Sequence, residues 1–394
     1  MNLFPINQPT LALSISEDTL RVVTVKKLWR TTTLHHINSV SLPTGLIRLS
    51  SAKPNIENMD MFIEQLRMLT DPLNKPASIA ISLPDLCART SMFDFSTFPA
   101  KASEQTALLN WRFQQDLKLD TLQSRLAFGI YIPTSLSKGS KHENPETAWV
   151  LGAAIRNEIV EQYEHACLEV HLMPVSVSIS GLDIFDVYQP TMQKVLEAED
   201  RHKDTSSPGA MFLFISHWGF TFIAFHDGCP RFIRTKAIAI RPDSNPVQEN
   251  SSLSGAEFQE TVSTHAAEQS RQELDSQKTH NGHSSTSIYP SSIVTKVKKE
   301  ILATLQYYLE TFPHNHTTSS PAHLFVVSDL EHGHTLLPPS DHLQQTAKVC
   351  GLQDSHIQVT QLLSTTHFTK REIGLAQESD IWPALSGYAS IRVA

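Results

Sequence analysis

The residues of this chain that could do chemistry are numerous, but their spacing does not gather them. Nineteen histidines invite a metal-binding reading. The tightest groups are His280/His283, His314/His316 and Glu331-His332/His334, all in polar stretches. None has the i, i+4 spacing that turns two imidazoles toward one zinc ion. Solvated loop histidines are therefore expected, and no metal site. Ser137-Lys138-Gly139-Ser140-Lys141 has the residue types of a phosphate loop, but it lacks the Walker spacing and the strand-to-helix setting, so it reads as a hairpin loop. Cys87, Cys167, Cys229 and Cys350 lie far apart with no CxxC pair, which suits reduced thiols rather than a disulfide framework. Lys296, Lys298 and Lys299 form a basic patch that reads as a solvated helix face. Trp111 and Trp218 are candidate partner anchors. Trp111 has the spacing of a core residue, and Trp218, in a turn, is the better interface candidate. No residue is assigned a catalytic role.

The elements that would position these residues are clearest between Ala210 and Thr235. Apolar runs at Met211–Ile215, Thr221–Phe225 and Pro230–Thr235 are separated by His217-Trp218-Gly219 and His226-Asp227-Gly228. β-branched and aromatic residues fill the runs and glycine suits the turns, so an antiparallel meander is predicted. The chain opens in a similar way, with Thr10–Ile15, a Ser16-Glu17-Asp18 turn, Thr19–Lys27 and Thr31–Leu42. Two half-chains that begin alike suggest two related domains facing one another.

Between these meanders, helical spacing at Met59, Phe62, Ile63, Leu66 and Leu69 predicts a helix over about Ile56–Leu69. Ser78–Leu83 reads as a buried strand. Arg89–Phe95, a helix from an N-cap at Ser103 to about Leu117, Ser124–Pro133, Ala148–Ala154 and a helix over Arg156–Val170 form a block with its own rhythm. That order suggests a small α+β module inserted into the first domain. A strand at Pro174–Val177 and a helix over Ser178–Tyr188 return to the main domain. Polar Lys194–Ser207 reads as a hinge. Pro242–Ser292 is poor in large apolar residues, and most of it is expected to be disordered, with a surface helix possible near Ala256–Leu274. Helices follow over Ile293–Phe312 and Asp341–Cys350, around a strand at Ala322–Val327, and Trp382–Val393 reads as a short helix and a last strand.

A chain of 394 residues exceeds one compact core, so two domains are expected. A net charge of −8 argues against a nucleic-acid partner, which usually meets a basic face. No stretch approaches the roughly 20 apolar residues of a membrane span, and no secretory leader is visible. A cytoplasmic protein without direct membrane insertion is expected.

Taken in this order, the chain resembles the PilM family of type IV pilus assembly proteins, within the actin-like ATPase superfamily. The resemblance is carried by LALSISEDTLRVVTV at Leu11–Val25, SLPTGLIRLS at Ser41–Ser50, and ASIAISLPDLCARTSMFDFSTFPAKASEQ at Ala77–Gln105. WRFQQDLKLD at Trp111–Asp120 and AWVLGAAIRNEIVEQYEHACLEVHLMPVSV at Ala148–Val177 extend it. GCPRFIRT at Gly228–Thr235 and VKKEILATLQYYLE at Val297–Glu310 complete it. It implies an α/β, two-domain actin-like ATPase (ribonuclease H-like) fold with an inserted strand-helix-strand-strand α+β subdomain, similar to that shared by PilM and the division protein FtsA. The implied domains are 1–193, with the insertion at about 86–172, and 210–394, with the polar insertion at about 242–292 and a hinge at 194–209. It also implies a cytosolic scaffold held at the inner membrane by the N-terminal cytoplasmic peptide of a PilN-like membrane protein, within the pilus assembly complex.

The family ligand is ATP with Mg²⁺, held by two glycine-bearing hairpin turns and an acidic residue. At the matching positions this chain has Ser14 and Ser16 in the first turn, Ser216 in the second and Ser328 in place of a late Gly-Gly pair. Both the acid and the glycines are lost, so a degenerate ATPase without hydrolysis is expected. Arg234 matches the arginine of the family's Phe-x-Arg piece, where an ion pair near the cleft is expected. The competing readings are an active ATP-binding enzyme of the actin-like/sugar kinase superfamily, and a filament-forming relative of actin.

Overall fold

The computed structural model describes residues 11–28, 31–73, 76–131, 148–200, 210–226, 228–240, 289–312, 323–330, 333–350 and 357–362. The first half comprises β1 (Leu11–Ile15), β2 (Thr19–Leu28), β3 (Thr31–Ser41), α1 (Met59–Thr70), β4 (Ala77–Leu83) and β5 (Arg89–Phe95). It continues with α2 (Ala102–Leu117), β6 (Ser124–Tyr131), β7 (Ala148–Arg156), α3 (Asn157–Glu169), β8 (Leu172–Ile179) and α4 (Ser180–Asp200). The second half has β9 (Ala210–Ser216), β10 (Gly219–His226), β11 (Cys229–Ala237), α5 (Ser291–Thr311), β12 (His323–Ser328), α6 (Ser340–Val349) and β13 (Gln358–Gln361).

Two five-stranded sheets share one topology, β3-β2-β1-β4-β8 and β11-β10-β9-β12-β13. In each, the opening strand pairs antiparallel with the next and parallel with a later one. The central strands β1 and β9 are buried on both faces, which is why they read as unbroken apolar runs. Alternation then divides their side chains among three cores. Leu11, Leu13 and Ile15 pack with α1 and α3, and Met211, Leu213 and Ile215 pack with α5 and α6. Ala12, Val23 and Ala80 face Phe212, Phe214 and Phe225 of the other sheet, with Ile184, Tyr188 and Met192 of α4 between them. A third sheet, β5-β7-β6, carries α2 on its own small core of Phe93, Leu109, Phe113 and Val150. This is the two-lobed actin-like fold with a strand-helix-strand-strand insertion. Among the described residues, no helix is long and apolar enough to cross a membrane.

Several boundaries moved, each for a tertiary reason. The helix expected from Ile56 starts at Met59, where the Asn58 side chain accepts the Met61 amide at 3.0 Å, while Ile56 bridges to Ile47. Ser103 is not an N-cap; α2 begins one residue earlier, after Lys101. The helix expected to end at Tyr188 continues as α4 through Pro190 to Asp200. Residues 194–200 of the anticipated hinge are therefore helical, because Met192 and Leu196 are buried between the sheets. The helix grouped with the inserted module, α3, places Ile159, Val160 and Tyr163 in the first-lobe core instead. Trp111 is 53% exposed rather than core, and Trp218 is 5% exposed rather than free for a partner, sitting edge-on to Phe214. The linker 135–146, the polar insertion up to residue 288, the hinge from 201 to 209 and the C-terminal elements at 382–393 lie outside the described residues.

The module's core is tight enough to test. A Cβ on Gly152 would lie 2.6 Å from Phe113 Cζ and 3.0 Å from the Phe93 ring. Gly152→Ala should cost about 1–3 kcal/mol through overpacking. Hydrogen–deuterium exchange should quicken in α2 and β5–β7 while β1, β4 and β9 stay protected.

Candidate functional site

Both opening hairpins point into the crevice between the lobes, and there their polar groups are already spent on one another. In the β1–β2 turn the Ser16 hydroxyl donates to Asp18 Oδ1 at 2.9 Å and accepts the Thr19 amide at 3.1 Å, while the Ser16 amide donates to the Thr19 carbonyl. In the facing β9–β10 turn the His217 and Trp218 carbonyls accept the Ile240 and Ile238 amides, each at 2.8 Å. Gly219 closes that turn at φ +143°, where a Cβ would lie 2.0 Å from the Lys236 carbonyl oxygen. Ser216 Oγ donates to Asp329 Oδ2 at 2.7 Å, and the Asp329 amide bonds the Ile215 carbonyl. Ser328 Oγ accepts the Leu330 amide at 3.1 Å and fills the space beside Gly333.

What remains between the hairpins is a cavity of about 20 Å³, bordered by Ser14, Ser16, Arg21, Ser216, Trp218 and Asp329. That holds about one water molecule. Three of the four serines singled out from sequence thus meet here, and Ser328 lies one residue from Asp329 without lining the space. Charges complete the closure. Burial pushes the Asp18 carboxyl up, but His217, the Ser16 and Thr19 hydroxyls and Arg21 together hold it below its ordinary range. Burial raises Asp329, against the opposing pull of His217, Ser216 and Arg21. Polar side chains of both lobes therefore meet between the two turns.

A second buried carboxyl ties the lobes deeper in. Asp85 follows β4, is 1% exposed, and accepts the Gly181 amide at 2.9 Å and Thr221 Oγ at 2.8 Å. Gly181 opens α4 of the first lobe, and Thr221 belongs to β10 of the second. A Cβ at Gly181 would lie 2.2 Å from Asp85 Oδ1. Burial pushes the Asp85 carboxyl up to about 6, although Thr221 and Gly181 pull the other way.

The larger concavity lies elsewhere, between the inserted module and the first lobe, with a volume of about 470 Å³. One wall is β8 from Pro174 to Ile179, and the other is Arg125, Leu126 and Ala127 of β6 with Ala153 and Ile155 of β7. Because six consecutive β8 residues line it, the groove runs along the strand's edge rather than one face. Both β6 and β8 are edge strands. Pro174 and an extra residue between Pro174 and Ser176 blunt the first half of the β8 edge, leaving Ser176–Ile179 regular. Arg125 and Glu164 clasp one end in a two-point ion pair. At the floor, Asp183 accepts the Ser178 and Ser82 hydroxyls at 2.6 and 2.8 Å, and burial raises its carboxyl well above the usual range.

Sequence reasoning missed Arg21, Asp85, Asp183 and the groove. A detectable signal existed for two of them. Asp85 directly follows an apolar strand, and Asp183 interrupts the apolar run Leu182–Phe185. Other candidates stayed apart. Arg234 stacks over the Tyr307 ring at 5.7 Å, on the α5 side of the sheet and away from the crevice. Lys296 and Lys299 are exposed on α5. Among the described residues no three His, Cys, Asp or Glu side chains are placed to hold a metal ion. The four cysteines are free thiols, three of them buried. The residue 137–141 loop and the histidines at 280, 283, 314, 316 and 332 lie outside the described residues, and His334 is exposed in a 3-10 turn.

No family model matches the sequence, and no curated protein does. Solved structures do. The chain superposes on a structure described as "PilM-PilN type IV pilus biogenesis complex" with a TM-score of 0.62 and 16% identity, covering 99% of this chain and 98% of that one. A Bacteroides thetaiotaomicron protein with an actin-like ATPase fold matches at 0.42 with 11% identity, over 96% of this chain and 95% of that one. The cytoplasmic domain of EpsL, an inner-membrane component of the Vibrio cholerae type II secretion system, matches at 0.30 with 10% identity, over 55% and 70%. At these identities the likeness is one of fold, and nothing below rests on the second and third.

The Asp85 tie makes a signed prediction. Its folded-state pKa lies above the unfolded value, so the stability it contributes is present at acid pH and is lost as pH rises through about 6. The Thr221 bond favours the ionised form. Thr221→Val should therefore destabilise by about 1–3 kcal/mol at pH 7.5 and by less at pH 5, read from urea melts at the two pH values.

Proposed function

We propose that this chain is a PilM-type scaffold that captures an extended peptide from a PilN-type inner-membrane protein, and does not turn over nucleotide. The observation that carries the reading is the contrast between the two concavities. Among the described residues, the cavity between the two facing turns is about 20 Å³, and in the β1–β2 turn the Ser16 and Thr19 amides are bonded within the turn. The groove offers about 470 Å³, apolar walls and a regular strand edge at Ser176–Ile179.

An extended peptide suits such a groove for two reasons. Main-chain hydrogen bonds to a strand edge supply affinity whatever the sequence, and pockets for alternate side chains supply selectivity. Ile155, Val160, Val177 and Leu182 form an apolar lining for those side chains, and Asp183 and Asp186 give polar groups at one end. The superposition on a PilM-PilN complex along nearly the whole chain supports this choice of partner. The protein would work at the cytoplasmic face of the inner membrane, held there by that partner and by the pilus assembly complex around it.

Two measurements test the reading. By calorimetry, a synthetic peptide of the PilN-type protein's cytoplasmic N-terminus should bind. Ala127→Arg, an exposed position on the β6 wall, should weaken it by about tenfold or more, equivalent to ~1.4 kcal/mol, without altering the circular dichroism spectrum. Mg-ATP, titrated under the same conditions, should give no saturable heat and no phosphate release. A peptide that ignores Ala127→Arg, or steady ATP turnover, would overturn the assignment.

A further inference from the structure

The walls of the groove belong to different bodies. β8, α3 and the start of α4 form the first-lobe wall, and β6 and β7 of the inserted module form the other. The groove's width is therefore the position of the module. On its far side the module is held by the second lobe, where β5, the outer strand of the module sheet, packs along β11, the outer strand of the second sheet. The Arg231 guanidinium of β11 lies 4.6 Å from the centre of the Trp149 ring on β7. Trp149 pairs with Asp94 of β5 on one side and Tyr131 of β6 on the other. Tyr131 in turn lies near Cys229 of β11 and Asp186 of α4, and burial, with Asp186 and Cys229 adding, pushes its phenol up to about 12. The strand that carries Trp149 also presents Ala153 and Ile155 to the groove. One short, internally hydrogen-bonded sheet thus touches the second lobe at one end and the groove at the other.

We propose that docking of β11 on the module, through Arg231 over Trp149, sets the width of the groove, so that the second lobe regulates peptide capture by the first. Linkage makes the effect reciprocal: a bound peptide must tighten the β11 contact by the factor by which that contact tightens the peptide. The peptide half of this statement rests on the groove being the peptide site. The width half does not.

The test reads both halves separately. Spin labels at Met173→Cys on β8 and Ile130→Cys on β6, both exposed and on the two strands that flank the groove, report the width by pulsed electron resonance, with Cys350→Ser removing the one cysteine that is not buried. The parent protein should give one narrow distance. Arg231→Ala should broaden it and weaken the PilN-type peptide about two- to fivefold, the range expected for loss of a cation–π contact. Arg231→Lys, which keeps the cation, should restore most of both. Where alanine disturbs β11, Arg231→Gln keeps the stem and loses only the charge. An unchanged distance distribution in Arg231→Ala or Arg231→Gln overturns the proposal. A distribution that broadens while no peptide binds the parent would sink the peptide reading and leave the width control standing.

Discussion

A carboxyl group shut away from water holds the two lobes at one separation. Asp85 leaves the end of β4 and bonds partners from both lobes, the Gly181 amide in the first turn of α4 and the Thr221 hydroxyl of the second sheet. Burying it is costly, and the cost is offset only while both donors are in place. The same geometry requires Gly181, since any side chain there would meet the carboxyl oxygen. α4 then lies where it must, with Tyr188, Met192 and Leu196 filling the layer between the sheets. The crevice and the groove both take lining from this helix, whose first two turns supply Ser180 to one and Leu182, Asp183 and Asp186 to the other.

Within that frame the crevice has been filled rather than reshaped. In the β1–β2 hairpin the Ser16 hydroxyl accepts the amide of Thr19, and in the facing hairpin Trp218 lies inside against Phe214. His217, Arg21 and Asp18 converge between the two turns, and Asp329 meets them from just after β12. A polar cluster of this kind is stable only when its members satisfy each other, which is why the charges come from both lobes. The outer strand of the module, β6, stands across an open groove from the outer strand of the first sheet, β8.

The repeated strand–turn–strand openings, the apolar central strands and the i, i+4 stripes of α1, α3 and α5 were legible in sequence because local periodicity reports which face is buried. The two tryptophans were read the wrong way round. Trp111 has core spacing on α2, yet that helix covers only a three-stranded sheet, and its second flank stays in water. Trp218 sits in a turn, yet that turn is buried by the opposite lobe. The helix expected over Ser178–Tyr188 runs on to Asp200 for the same reason: the surroundings of Met192 and Leu196 come from sheets far off in sequence.

Residue order alone therefore decided the duplicated architecture and the inserted module, since each is written in neighbouring residues. Tertiary structure alone decided that Asp85 bridges the lobes, that polar side chains of both lobes meet in the crevice, and that two strand edges border a groove. These depend on pairs separated by a hundred residues or more, such as Ser216 with Asp329 and Thr221 with Asp85. Local pattern carries no trace of such pairs, because the free energy that selects them arises only when both partners leave water together.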